Sequence, residues 1–200
     1  MGLWTPQTMP VWCSKTKKMF ASLSLRHFMT TSFIWSSVLL DKWDLRFFRV
    51  AQEVQSWSKD PSTKCGCVLV HDRRIISTGY NGLPASLSDS PDRYKNREFK
   101  LAAIIHAEKN AIFNAAKNGA LTEGVTAYVT WPPCAQCASA LIQAGVSKVV
   151  CPDPKTGPER WVSNFLLAND LLYEAGVKVL YIGESDLCPT ETVPSVEPLG

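Results

Sequence analysis

Two short segments carry residue types that act together chemically: His106-Ala107-Glu108 and Pro133-Cys134-Ala135-Gln136-Cys137. Cysteines at i and i+3 lie on one face of a helix, so both sulfurs reach a single ion. A helix N-terminus favours thiolate over thiol, and thiolate is the form that a metal binds. Pro133 suits a strand-to-helix corner, where its missing N–H costs nothing. One imidazole nitrogen and two thiolates select zinc over magnesium or calcium. Three protein ligands leave a fourth position open, as a catalytic zinc requires. Glu108 is too near His106 to be an obvious fourth ligand, yet near enough to serve the open position as general acid and base. The expectation is one zinc ion per chain, held by His106, Cys134 and Cys137.

Other candidate ligands lack company. No second Cys-x-x-Cys completes a structural four-cysteine site, and no thioredoxin-like context surrounds the first. His27 and His71 have no partner at ligand spacing. Cys65 and Cys67 share a strand face, but no His or Cys adjoins them, so packing is their expected role. Cys151 and Cys188 are isolated.

Composition bounds the rest. Two hundred residues, 46% hydrophobic and 20% charged, suit one globular core. A net charge of +3 is too small for a nucleic-acid coat and leaves room for a local phosphate site, so no stable nucleic-acid partner is expected. Seven scattered cysteines, an odd number, fit reduced thiols in a cytoplasmic compartment. No stretch reaches the ~18 apolar residues of a membrane span. Residues 1–40 are basic, rich in Ser and Thr, and free of acid before Asp41. They read as a disordered leader, with Met19 and Met29 as alternative starts; an organelle transit peptide is the other reading, with few arginines in its favour. Pro189, Pro194 and Pro198 mark a flexible tail over 187–200, leaving one domain over 41–186.

The elements that must position the two segments follow from periodicity. Trp43, Phe47, Phe48, Val50, Ala51 and Val54 recur at helical spacing, with Asp41 or Asp44 as cap and Asp60-Pro61 as stop. Residues 65–70 and 75–79 form a hairpin. A long polar loop over 80–97 is expected to be functional. Helices over 106–117, 135–144 and 161–175 alternate with strands over 125–130, 146–151 and 177–182, closed by Gly119, Gly145 and Gly176. The order α-β-β-α-β-α-β-α-β builds an α/β fold, a central mixed sheet covered by helices on both faces.

The chain resembles the cytidine and deoxycytidylate deaminases over 41–182, especially the bacterial and phage deoxycytidylate branch. The H-x-E and P-C-x-x-C pair is the signature of zinc nucleobase deaminases. Ser58-Lys59-Asp60-Pro61, Gly79-Tyr80-Asn81-Gly82 and Asn110-Ala111-Ile112 narrow the resemblance to that branch. It implies a three-layer α/β/α fold with five strands, hydrolysis of dCMP to dUMP and ammonia, and a homo-oligomer. It also implies that Asn81 hydrogen-bonds the nucleotide and that the Ala107 backbone helps hold the pyrimidine. Trp131 flanks the pocket rim, and Lys59 is a candidate phosphate contact. Arg93, Lys95, Arg97 and Lys100 could meet a phosphate or a nucleotide effector. Some members carry Arg where this chain has Trp57. The alternatives are another substrate (cytidine, dCTP, a modified cytidylate or tRNA adenosine) or a non-catalytic zinc module that binds a nucleotide.

Overall fold

A computed structural model describes residues 40–187. The leader up to residue 39, with His27, and the tail from Cys188 onward lie outside the described residues. Among the described residues, no helix is long and apolar enough to cross a membrane.

Helix α1 (Lys42–Ser56) starts in a capping box. Asp41 Oδ1 accepts the N–H groups of Trp43 and Asp44 at 2.7 and 2.8 Å, and Asp44 Oδ2 accepts the Asp41 N–H at 3.1 Å. Asp44 is buried and also takes Tyr128 Oη–H and Lys148 Nζ–H, at 2.8 and 2.7 Å. Burial would raise its pKa, but those donors outweigh it and hold the carboxyl below its ordinary value. Asp44, the N3 partner in the capping box, therefore anchors α1 to the sheet.

The sheet has five strands, β1 (Gly66–His71), β2 (Arg74–Tyr80), β3 (Thr126–Val129), β4 (Lys148–Cys151) and β5 (Lys178–Tyr181), in the order β2-β1-β3-β4-β5. β1 runs antiparallel to both neighbours, while β3, β4 and β5 are parallel. Successive side chains alternate between faces. Val68, Val70, Tyr128 and Val150 pack with Phe47, Phe48, Ala51 and Val54 of α1. Cys67, Leu69, Ala127, Val129, Val149 and Cys151 pack instead with α4 (Ala107–Lys117), α5 (Ala135–Gln143) and α6 (Glu159–Glu174). These are the three α/β/α layers expected, with Cys67 in the core as predicted.

Two glycines bring helices against the sheet. A Cβ on Gly66 would stand 2.1 Å from Ala51 O, and one on Gly79 would stand 2.2 Å from Ala111 N. Only a residue without a side chain lets α1 and α4 lie this close.

The loop expected over 80–97 is more ordered than its composition suggests. It contains α2 (Pro91–Lys95), which buries only Tyr94, followed at once by α3 (Arg97–Ala103), which buries nothing. Pro91 opens α2, and Asn96 Oδ1 caps α3 through Phe99 N–H at 3.0 Å. Helices that bury so little leave no apolar periodicity to read. A short C-terminal helix, α7 (Glu184–Leu187), was likewise absent from the sequence pattern.

Candidate active site

His106 is the N-cap of α4 and Cys134 the N-cap of α5, both extended, with ψ of 155° and 164°. Cys137 lies one turn into α5. The sulfurs of Cys134 and Cys137 stand 3.6 and 3.4 Å from His106 Nδ1, and the three ligand atoms all lie within 4.8 Å of one another. Three soft-to-borderline donors converging on one point, two of them on a helix N-terminus, fit a zinc ion. The hydrogen bond from Cys137 holds the Cys134 thiol down to about 4, outweighing burial, and His106 adds to it. The same contact, with burial, pushes the Cys137 thiol up. His106 is raised, chiefly by its bond with Cys134. One thiolate is thus ready for a cation, and metal binding releases the proton on the other.

Glu108 is 5% exposed in the first turn of α4 and faces Cys137. Burial raises its pKa, and His106 only partly offsets this. A carboxyl displaced upward suits a group that takes a proton and gives it back.

His106, Cys134 and Glu108, with Cys137 buried behind them, line a cavity of about 210 Å³. Its polar lining includes Asp60, Asn81, Arg97 and Lys100, and its apolar lining includes Trp131, Pro132, Pro158, Trp161 and Phe165. A larger hollow of about 360 Å³ lies over β2 and the end of α4, but its lining holds no acid, thiol or imidazole. The chemistry belongs to the smaller cavity.

The Asn81 segment is tied to α4 directly. Gly82 and Ile105 exchange backbone hydrogen bonds at 3.1 and 2.9 Å, and Asn110 Nδ2 donates to Tyr80 O at 2.8 Å. Asn81 itself is 5% exposed. Its Oδ1 accepts Cys65 N–H at 2.7 Å, and its Nδ2 donates to Thr63 O at 2.8 Å and, more distantly, to Asp60 Oδ2 at 3.5 Å. Its side chain therefore braces the 58–65 loop as well as lining the cavity. Ala107 is fully buried and opens α4.

The expected basic contacts divide. Lys59 lies outside the cavity lining and pairs with Asp89 Oδ2 at 2.9 Å on the surface. Arg93 donates to Ser88 O at 3.2 Å, and Lys95 pairs with Asp92 at 3.3 Å; neither lines the cavity. Arg97 and Lys100 do. Lys100 Nζ donates to Asp60 Oδ1 at 2.7 Å and also to Ser62 Oγ. Burial would raise Asp60, but Lys100 and the Ser62 and Thr63 donors outweigh it and hold the carboxyl below its usual value. Sequence reading missed Arg160, which lines the cavity from α6 together with Trp161 and Phe165.

Residues 41–152 match the family model of the cytidine and deoxycytidylate deaminase zinc-binding region. An uncharacterised deaminase of the luxG 3′ region of Aliivibrio fischeri is 42% identical over 145 residues, covering 72% of this chain and 96% of that protein. The deoxycytidylate deaminase of Enterobacteria phage T4 is 32% identical over 179 residues, covering 70% of this chain and 89% of the phage protein. The crystal structure of the cyanophage S-TIM5 dCMP deaminase in complex with dCMP and dUMP superposes with a TM-score of 0.57 at 23% identity. That match covers 72% of this chain and 99% of that one, and it shows the fold.

Proposed function

The chain belongs to the cytidine and deoxycytidylate deaminase family, and we propose that it hydrolyses dCMP to dUMP and ammonia, with His106, Cys134 and Cys137 holding one zinc ion. The observation that carries this reading is the convergence of those three ligand atoms beside buried Glu108, at a cavity lined by His106, Cys134 and Glu108. The relatives named deoxycytidylate deaminase support the substrate.

A zinc ion in this site supplies the Lewis acidity that makes water a nucleophile at neutral pH. Glu108 does the proton work. Its carboxylate takes a proton from the attacking water and delivers it to the pyrimidine ring nitrogen, then takes the proton left on the added hydroxyl and passes it to the departing amino group. The ring carbon gains the water oxygen and loses ammonia, so the balance is one water consumed per ammonia released. Burial of Glu108 among apolar and thiol neighbours keeps bulk water from short-circuiting these transfers. Trp131, Trp161 and Phe165 line the cavity that would hold the base, and the Ala107 backbone at the start of α4 would hold the pyrimidine.

The phosphate falls to Arg97 and Arg160. Both line the cavity, both are exposed, and neither has a hydrogen-bond or ion-pair partner among the described residues. Lys100 is already engaged by Asp60. Planar guanidiniums suit bidentate capture of a phosphate. The proposal extends to a homo-oligomer, supported by Leu166, Leu167 and Tyr173 exposed along α6, and to the cytoplasm, supported by the free thiols of buried Cys67 and Cys151.

Ammonia release from purified protein, with metal content measured in parallel, tests the reading across dCMP, CMP, deoxycytidine, dCTP and adenosine substrates. The expected result is one zinc per chain and preference for dCMP. Activity confined to unphosphorylated nucleosides would remove the phosphate assignment and leave the metal site standing.

A further inference from the structure

Helix α5 begins under a constraint that its own residues do not meet. Its N-cap is Cys134, whose sulfur is turned toward His106 and makes no side-chain cap bond. A Ser, Asp or Asn there would satisfy first-turn N–H groups, which have no partner within a helix. The metal site needs sulfur at that position instead. One of the orphan donors, the Ala135 N–H, is accepted from outside: Asn164 Oδ1 of α6 takes it at 3.0 Å, in a part-buried bond across 29 residues of chain. Ala135 lies between the two cysteines, so this bond acts on the single turn that sets their separation.

Asn164 is part-buried on α6, one residue before Phe165, whose ring stacks on that of Trp161 with centroids 6.3 Å apart; both rings line the cavity. A Cβ on Gly157 would come within 2.8 Å of Phe165 Cε2, so the Phe165 ring packs closely on the turn before α6.

We propose that Asn164 is a positioning residue for the zinc site: by accepting the Ala135 N–H it holds the first turn of α5, and with it the Cys134 and Cys137 sulfurs, at the spacing that His106 requires. The inference rests on the zinc reading above. Asn164 does not ligate the metal; it satisfies from a neighbouring helix the first N–H of α5, which no residue of that helix accepts. Outer partners that orient metal ligands typically change affinity about 10- to 100-fold when removed.

The test compares the zinc-loaded wild-type chain with Asn164→Leu, which keeps the volume and loses the acceptor, and Asn164→Asp, which keeps an acceptor oxygen. Zinc transfer to a chromophoric chelator gives the affinity of each. Thermal unfolding is followed for zinc-loaded and chelator-stripped protein. The expected result is about 10-fold or greater weakening of zinc affinity in Asn164→Leu, in line with other outer partners, and near-wild-type affinity in Asn164→Asp. Unfolding should drop further in the zinc-loaded than in the stripped form of Asn164→Leu. Equal loss of stability in both forms, with unchanged zinc affinity, would make Asn164 a plain helix cap and overturn the proposal. A wild-type chain that binds no zinc would overturn the zinc reading itself, and the two failures are distinct.

Discussion

Gly79→Ala offers a sharp test of how the fold positions the chemistry. A Cβ at Gly79 would sit 2.2 Å from Ala111 N and 2.4 Å from Ala107 O, both backbone atoms of α4. Ordinary contact begins at 3.4 Å, so strand and helix must part by about 1.2 Å. No flexible side chain is available to absorb the change. Overpacking of this kind costs about 1–3 kcal/mol of stability. It also moves the helix that carries Glu108 and is capped by His106, and a displacement of about 1 Å at a reacting group can cost ~100-fold in rate. Gly66→Ala is the matched control. Its Cβ would meet Ala51 O at 2.1 Å, but the helix displaced is α1, on the opposite face of the sheet. Urea unfolding and single-turnover ammonia release on the folded fraction should separate the pair. Both variants should lose comparable stability, while only Gly79→Ala should lose rate per folded molecule. Equal rate losses in the two, or a Gly79→Ala enzyme with wild-type rate, would refute the claim that the Gly79–α4 contact sets the catalytic geometry.

Other perturbations read different parts of the same site. Glu108→Gln should lower kcat about 10²- to 10⁴-fold, the usual range for a lost general acid–base, with zinc content by atomic absorption unchanged; full ammonia release by this variant would remove Glu108 from the proton path. Arg160→Ala should raise KM for dCMP about 10-fold, in keeping with one lost charged hydrogen bond, while kinetics on deoxycytidine stay as they were. Lys100→Met should cost about 1.5–3 kcal/mol at neutral pH, the range for a hydrogen bond to a charged group. Asp60 has a folded pKa below 3.8, so its ionised form stabilises the protein above that value and the contribution fades as pH falls through the lowered pKa. The stability gap between wild type and Lys100→Met in urea titrations should therefore close on acidification; a gap independent of pH would mean that the Asp60 carboxylate is not what Lys100 supports.

Much of the architecture was legible because its signals are local. Helix α1 announces itself by apolar residues at helical spacing behind Asp41, and α4, α5 and α6 end at Gly119, Gly145 and Gly176, all at positive φ. The zinc ligands were legible for another reason: Cys134 and Cys137 share a helix turn, and few arrangements use sulfur there. Helices α2 and α3 were hidden because they bury almost nothing. Lys59 was a candidate phosphate contact through the Ser58–Pro61 motif, yet consecutive residues in a loop point different ways. Asp60 turns inward to Lys100, while Lys59 turns out to Asp89.

Arg160 and Asn164 were hidden by distance in sequence, but the sheet topology accounts for where they arrive. β3 and β4 are parallel, so the segments leaving their carboxyl ends emerge on the same edge. One of these segments carries Trp131 to Cys137, and the other leads through Pro158 to Arg160, Trp161 and Asn164. β1 is antiparallel to β3, and so begins at that edge, which brings the loop from Asp60 to Cys65 there; β2 reverses again and ends there, delivering Asn81. Ligands of α/β sheets gather at the carboxyl ends of parallel strands, and here the antiparallel pair adds its own residues to the same edge. The connections that carry the metal ligands thus also bring Asn81, Arg97 and Trp131 to the cavity, and the segment after β4 adds Arg160, Trp161 and Asn164 beside them. Changing the segment after β4 at Arg160 should alter which cytosine compound is accepted, while changing it at Asn164 should reach the metal, because Asn164 is bonded to the helix that bears the two sulfurs.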